Sequence, residues 1–454
     1  MSSLVNFICN TNYEHLSPQL VEEIKKMVID TIGVAIAGSR AAESKMLARL
    51  IKKWGGRREG TIFVYGGMVP APNAVMVNST MARALELDGV HHGGGGHLPA
   101  TFIPAAISLA EYSGKTISGR DLILAIVIGS EVSCRLRCAL ISYPGWVSET
   151  FAPFGIAAMG AKLLNFSNEQ LLNAMGLAYS LCSCNLQANV DGSSSVRLQQ
   201  GLGAKGGILA CVLANQGFTG ATNVLEGQYG FYSLYAHNEY NPEVITGELG
   251  KQFQMADTSI KFYPSCAFTH IPIYATIEII KEHKIDPNQI IRIIVYTNSK
   301  GYSLTGFGDN KYHPRNIIDA QFSIPYTVAT AAIRGKVFLE AFEEKSLIDM
   351  EVLELAEKVV VQVDPDLDKI AGLQVPGRVE LWLKDGKRYL REIDFVKGHP
   401  KNPANFNDCT EKFYECVQLA GKNFQTGKVF ELSQLIQELE KLEDIKKLVN
   451  LLVV

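Results

Sequence analysis

Over the first 260 residues the apolar positions recur at helical spacing. In the run SPQLVEEIKKMVIDTIGVAIAG, Val21, Ile24, Met27, Val28 and Ile32 fall on one face. Ser17 is a candidate N-cap, Pro18 suits the first turn, Glu22 and Glu23 follow, and Gly38 ends the run. The pattern predicts helix over 15–56. It predicts a further helix over 73–88, carrying Glu86 and Asp88 at its C-terminal end, and others over 99–114, 119–138, 151–164, 168–184, 201–216 and 220–226. Alanine and glycine crowd these segments, so the helices can approach closely. The character changes near residue 260. QIIRIIVYT (289–297) and KVVVQVD (358–364) read as strands, and RVELWLKDGKRYLREID (378–394) as a hairpin around Asp385–Gly386. Helical stretches at 268–284, 323–334 and 347–357 lie between them. GHPKNPANF (398–406) is a linker, and the remaining residues return to amphipathic helix. The expected fold is mainly α. A large all-α helical domain is built from both chain ends, 1–264 and 401–454, with a smaller α+β lid domain over 265–400.

Composition narrows the partners. The chain has 454 residues, 47% of them hydrophobic and 20% charged, which is ordinary for a globular protein with a large core. The net charge of −3 and the lack of a basic stripe argue against nucleic acid. The N-terminus has neither a basic start nor a long apolar run, so no signal peptide is expected. The most apolar run, LILAIVIG (122–129), falls short of the roughly 18 residues of a spanning helix. No membrane partner and a cytoplasmic location are therefore expected. The nine cysteines are scattered. Cys134 and Cys138 stand one helical turn apart and Cys182 and Cys184 are close. Without a second pair at zinc-ligand spacing, small buried thiols are the expectation.

The chemistry concentrates in ELDGVHHGGGGHLPAT (86–101). His91, His92 and His97 surround Gly93 to Gly96 and follow Glu86 and Asp88. A helix end, a glycine run and a helix start form a concave place where histidine can move protons near neutral pH. The residue types also suit a metal, but no H-E-x-x-H pattern fixes them on one face, and no phosphate-loop signature is present. Lys261, Thr269 and His270 occur together in SIKFYPSCAFTH (259–270). There a lysine beside a helix start can clamp a carboxylate, or can be an ordinary exposed lysine. In SSSVRLQQGLGAKGG (193–207), Arg197 offers a bidentate fork, with Lys205 as a helper or both as surface charges. Tyr326 sits in an apolar helix, either packing its ring or turning its phenol to a cleft.

Taken together, these segments resemble the MmgE/PrpD family, which includes 2-methylcitrate dehydratase, cis-aconitate decarboxylase and iminodisuccinate epimerase. MARALELDGVHH followed by HLPA is similar to the family's A-x-D-F-D-D-x-H…H-P, IKFYPSCAFTH to its K-x-x-P-x-x-x-x-T-H, and QFSIPY to F-S-x-x-Y; KGHPKNP near residue 400 also fits. The resemblance implies a cleft between the two domains, a homodimer and no cofactor or metal. Matched position by position, it assigns Glu86, Asp88, His92, His97, Lys261 and Tyr326 to the site. Four positions depart from the family pattern. GWVSETFAPFG (145–155) lacks the usual histidine, and in SVRLQQG (195–201) Val196 and Gln199 replace a lysine and a histidine. Gly89 stands where a second adjacent aspartate is common.

The expected function is a cofactor-independent lyase, of dehydratase or decarboxylase type, on a small di- or tricarboxylic acid. Asp88, His92, His97, Lys261 and Tyr326 are the catalytic candidates. Lys261 and Arg197 would hold carboxylates, His92 or His97 would move a proton, and Asp88 would fix the imidazole tautomer. Tyr326 would protonate a leaving hydroxyl or hold a carboxylate. Glu86, His91, Arg197, Thr269 and His270 are the substrate-binding candidates. The alternatives are an isomerase or epimerase of a similar acid, an inactive carboxylate-binding relative, and, ranked last, a metal-dependent hydrolase.

Overall fold

The computed structural model describes residues 1–94, 96–142, 145–370, 376–421 and 425–453. Gly95, within the glycine run, lies outside the described residues. The structure is mainly helical, and the chain divides into two compact units. One comprises Met1–Ala84, Asp88–Thr258 and Asn405–Val454; the other comprises Leu85–Leu87 and Ser259–Ala404.

The first unit is built from helices, chief among them α1 (Pro18–Gly38), α2 (Ala71–Arg83), α3 (Leu98–Ser113), α4 (Gly119–Cys138), α5 (Ala152–Leu163) and α6 (Ser195–Asn215). Local chemistry sets their ends. The Ser17 hydroxyl accepts from the Leu20 amide at the start of α1, and Ser118 and Asp121 form a reciprocal capping box at the start of α4. The helix predicted over 15–56 is two helices, because the chain turns at Ser39 before Ala42–Trp54 begins. The helix predicted over 73–88 stops at Arg83, so Glu86 and Asp88 lie beyond it. Glu86 takes a left-handed backbone conformation, φ 56°, that no continuing helix allows. Over 220–226 there is irregular chain instead of helix. The Gly220 amide donates to Asn173 Oδ1, and the backbone there lies flat against Gly176.

α6 packs most extensively on α2, α5 on α4, and the helix Phe406–Leu419 on α1. That last contact carries a buried ion pair, Lys412 Nζ to Asp30 Oδ1 at 2.5 Å. The α2–α6 approach requires glycine. A Cβ on Gly201 would stand 2.3 Å from the Met76 carbonyl oxygen and 2.4 Å from Thr80 Oγ1.

The second unit pairs helices with a four-stranded sheet. Its strands are β1 (Ile290–Thr297), β2 (Val359–Val363), β3 (Gly377–Leu383) and β4 (Arg388–Ile393), in the order β2-β1-β3-β4. β1 runs parallel to β2 and antiparallel to β3, and β3–β4 is the predicted hairpin. α7 (Ala267–His283) and α8 (Ile324–Arg334) pack on each other, α7 also on β3 and β4 and α8 on β2. Ile293, Val295, Val359, Val379 and Leu381 of the sheet share a core with Ile273, Ile277, Val328 and Ala329.

Substituting Gly201→Ala should destabilise the first unit by roughly 1–3 kcal/mol through overpacking. Gly427→Ala, where a Cβ meets no atom within 4 Å, should be neutral or slightly stabilising. Urea unfolding of both variants checks this; equal midpoints would mean that α2 and α6 are not held at that distance.

Candidate functional site

In the first unit the site grows from the end of α2. Arg83 is the last residue of that helix, and its Nη1 stands 3.4 Å from Asp88 Oδ1. The other carboxylate oxygen, Oδ2, lies 2.8 Å from His97 Nδ1. The Asp88 side chain is 0% exposed, Arg83 5% and His97 14%. A buried carboxylate is costly unless it is paired, and here two groups share it. A carboxylate can only accept, so Nδ1 of His97 is the donor. Nε2 is then the ring position left for proton exchange, on the one member of the trio with partial access.

His97 is held from behind. α3 begins directly after it, and its carbonyl accepts from Gln200 Nε2 at 3.1 Å and Thr101 Oγ1 at 3.4 Å. Gln200 Nε2 also donates to Thr101 Oγ1. Gln200 stands one turn after Arg197 on α6, so the two share a helix face. Arg197 is buried, 5% exposed. Val196 is buried as well. Gln199 closes on Asn185, accepting from its amide at 2.5 Å and donating to its carbonyl at 3.0 Å. Lys205, on the same helix, is half-buried.

The other two histidines of the loop turn toward the segment 254–257. The His92 amide donates to the Asp257 carbonyl at 3.0 Å, and its side chain is buried. His91 Nε2 lies 2.9 Å from the Gln254 carbonyl, so Nε2 carries the proton and Nδ1 accepts from the Gly94 amide at 3.1 Å. The His91 ring meets Cys134 and Cys138, whose sulfurs are 3.8 Å apart. A hydrogen bond from Cys134 holds the Cys138 thiol down to about 5 against the effect of burial, with His91 assisting, while burial pushes Cys134 up. Burial works against a charged His91, but its contact with Cys138 outweighs that and raises its affinity for a proton. Among the described residues, these three side chains are the group of histidine, cysteine or carboxylate atoms close enough to hold a metal ion.

In the second unit, Lys261 is 1% exposed. Its ammonium donates to Glu86 Oε1 at 2.8 Å, the Glu86 carbonyl at 3.0 Å and the Ser265 carbonyl at 3.3 Å. The left-handed turn at Glu86 brings its carbonyl and carboxylate to the same cation. Ser265 Oγ bonds Thr269 Oγ1 at 2.7 Å, and His270 Nε2 lies 3.2 Å from the Ser265 carbonyl. Gln321 ties this knot by donating to the carbonyls of Leu85 at 2.9 Å and Pro264 at 3.0 Å. The KGHPKNP segment supports it from the other side, since the Gly398 carbonyl accepts from the Ile260 amide at 3.0 Å. Tyr326 sits apart from the knot in the hydrogen-bond pattern. Its ring belongs to the core, and its hydroxyl donates to the Ala341 carbonyl at 2.6 Å, with the Ser346 carbonyl at 3.1 Å. Burial pushes its phenol up to about 12.

Thus the structure brings Asp88 and His97 into one arrangement, with Arg197 on the face of α6 that carries Gln200. It brings Glu86, Lys261, Thr269 and His270 into another. Glu86 and Asp88, neighbours in sequence, belong to different units. His91 joins the two thiols, and Tyr326 joins the core of its unit. The sequence reading missed Arg83, Gln200 and Gln321. Arg83 was open to discovery as a cation five positions before Asp88; the two glutamines carry no local signal, since their partners are distant in the chain.

Comparison with known proteins places the chain in a family. The MmgE/PrpD N-terminal domain matches residues 2–243, and the MmgE/PrpD C-terminal domain matches residues 263–434. The chain is similar to cis-aconitate decarboxylase of Aspergillus terreus, 26% identical over 473 residues that cover 99% of this chain and 95% of that protein. It is similar to the human cis-aconitate decarboxylase, 26% identical over 455 residues that cover 96% and 91%. It is also similar to the mouse cis-aconitate decarboxylase, 24% identical over 469 residues that cover 99% and 92%. With two domain matches in order along nearly its whole length, the chain belongs to the MmgE/PrpD family.

Proposed function

We propose that this chain is a decarboxylase-type lyase acting on a small unsaturated or hydroxylated di- or tricarboxylic acid, with His97 as the group that moves the proton. The family and the named relatives make it a lyase-type enzyme. The single observation that carries the mechanism is the 2.8 Å contact between the buried Asp88 carboxylate and Nδ1 of a partly accessible His97. In this reading the bond from a substrate carboxyl group to its neighbouring carbon breaks and carbon dioxide leaves. The electron pair stays on the carbon skeleton, and Nε2 of His97 delivers the proton that completes the product. Asp88 holds the imidazole in one tautomer and orientation, as an orienting carboxylate does for a general acid–base histidine.

Arg197 is the proposed carboxylate clamp on this side. Val196 offers no charge, and Gln199 is engaged with Asn185, so this turn of α6 presents one cation from Arg197. That supports a substrate with fewer or differently placed carboxylates than the family pattern serves. Electrostatic stabilisation of the charge that develops on the skeleton is the larger part of such catalysis. Lys261 is proposed to act through Glu86, Ser265 and the 259–270 segment, since its ammonium is committed to those oxygens. A dehydratase would use the same Asp88–His97 pair to remove a proton next to a carboxylate.

The direct test is incubation with cis-aconitate and related di- and tricarboxylates in D₂O, followed by proton NMR. A product lacking one carboxyl group and carrying one deuterium is expected; deuterium exchange or water loss without carbon dioxide release would reject decarboxylation. His97→Ala should lower kcat by about 10²–10⁴-fold, and Asp88→Asn should lower kcat with KM little changed; near-normal turnover of His97→Ala removes it from the mechanism. Lys261→Met should cost roughly 3–5 kcal/mol of stability by leaving a buried charge uncompensated, and Glu86→Gln added to it should recover much of that. If Lys261→Met instead changes KM and leaves the unfolding midpoint alone, the lysine binds substrate directly.

A further inference from the structure

The geometry points to a Cys₂His site for one zinc-class ion, made by Nδ1 of His91 and the sulfurs of Cys134 and Cys138. One ligand atom from each residue, a ring nitrogen of His91 and the two sulfurs, lies within 4.8 Å of the others. The two sulfurs are 3.8 Å apart, and Cys134 Sγ lies against the His91 ring, 3.8 Å from Nδ1 and 3.3 Å from Nε2. A tetrahedral zinc ion with bonds of about 2.3 Å to sulfur and about 2.0–2.1 Å to nitrogen needs sulfur–sulfur and nitrogen–sulfur edges of roughly 3.8 and 3.5 Å. The sulfur edge is already at that length, and binding would turn the His91 ring to aim Nδ1 at the ion.

The surroundings prepare each ligand. Cys134 and Cys138 are four residues apart on the last turns of α4, so both project from one helix face. The C-terminal end of a helix favours a cation. Nε2 of His91 is fixed as a donor to the Gln254 carbonyl, which leaves Nδ1 as the ring's lone pair. That is the outer-shell arrangement by which proteins orient a metal-binding imidazole. The Gly94 amide occupies that lone pair in the structure, and an ion would take its place. Arg135 is turned to Glu131, with Nε 2.5 Å from Oε1, so its charge is already matched beside the site.

The glycine run gains a reason here. A Cβ on Gly94 would stand 3.0 Å from Cys138 Sγ, and one on Gly93 would stand 3.6 Å from that sulfur and 3.0 Å from His91 Cε1. Side chains at either position would press on the ligands. Gly93 is exposed and Gly94 half-exposed, so water can complete the ion's fourth position from that side. An apolar nest for two structural thiols would not need a tautomer-fixed imidazole against them. The bound ion would pin the loop to α4. That loop is already closed by the His91 amide donating to the Gly96 carbonyl at 2.7 Å, one residue before His97.

The test uses the full-length protein, reduced and freed of metal by chelation, titrated anaerobically with Co²⁺. One equivalent should produce a thiolate-to-cobalt charge-transfer band and the visible bands of a tetrahedral ion, both abolished by Zn²⁺. Cys138→Ser should lose the charge-transfer intensity of one thiolate. His91→Gln should weaken Co²⁺ binding by more than the roughly 10–100-fold that loss of an outer-shell partner costs. Should either variant fail to fold by circular dichroism, the wild-type protein still decides the matter. Zn²⁺ should protect Cys134 and Cys138, identified by mass spectrometry, from alkylation. Only octahedral Co²⁺ absorption, a spectrum unchanged in Cys138→Ser, or alkylation indifferent to Zn²⁺ would overturn the site. So would a Cys134–Cys138 disulfide that persists as the native state. None of these readouts involves turnover, so their failure leaves the decarboxylase reading untouched.

Discussion

The Asp88 carboxylate has no exposure to water and must be neutralised by the protein itself. Arg83 supplies charge on one side at 3.4 Å, and His97 supplies a hydrogen bond on the other at 2.8 Å. Much of the first unit serves this arrangement. α2 ends at Arg83, α3 starts after His97, and α6 reaches across with Gln200 to hold the His97 carbonyl. α6 can do so because Gly201, next to Gln200, lets it settle onto the α2 backbone. Helix packing, a backbone contact and a side-chain ion pair are therefore one construction. A change in any of them moves the same imidazole.

The second unit holds a comparable buried pair, but with the opposite access. Lys261 is 1% exposed and bonded to Glu86 through both its carboxylate and its carbonyl, whereas His97 keeps partial exposure. A pair sealed in this way is expensive to break and weakly stabilising when compared with apolar packing. Its value lies in fixing geometry. Here the fixed object is the turn at Leu85–Leu87, gripped by Lys261 and by Gln321. Three residues of sequence thus belong to the second unit while the residues on both sides belong to the first.

The helices were legible because their signals are local. Ser17 marks the start of α1, the expected 119–138 coincides with α4, and the Asp385–Gly386 turn sits between β3 and β4 as the hairpin pattern indicates. The segment 84–88 was not legible, since nothing in the composition of ALELD opposes helix. The left-handed turn at Glu86 is imposed by a lysine 175 positions away. The histidine cluster was visible as a cluster, but its division was not. His97 goes to Asp88, His91 to Cys134 and Cys138, and His92 toward Asp257. Those choices depend on α4 and on the 254–257 segment, which the spacing of the histidines does not encode. For the same reason Cys134 and Cys138 read as inert thiols until His91, 43 residues before the first of them, is seen against them.

The first unit is not continuous in the chain, and its last segment closes over its first. Asp30 is a buried anion near the middle of α1, and Lys412 pairs with it. As the polypeptide leaves the ribosome, nearly all of the protein is made before that cation exists. Through most of synthesis that ion pair cannot form, and the face of α1 that packs on Phe406–Leu419 waits for that helix to arrive. Contacts between such distant segments carry a high entropic cost and slow assembly. Until that helix is made, an apolar face of α1 stays uncovered, the kind of surface that invites misassembly.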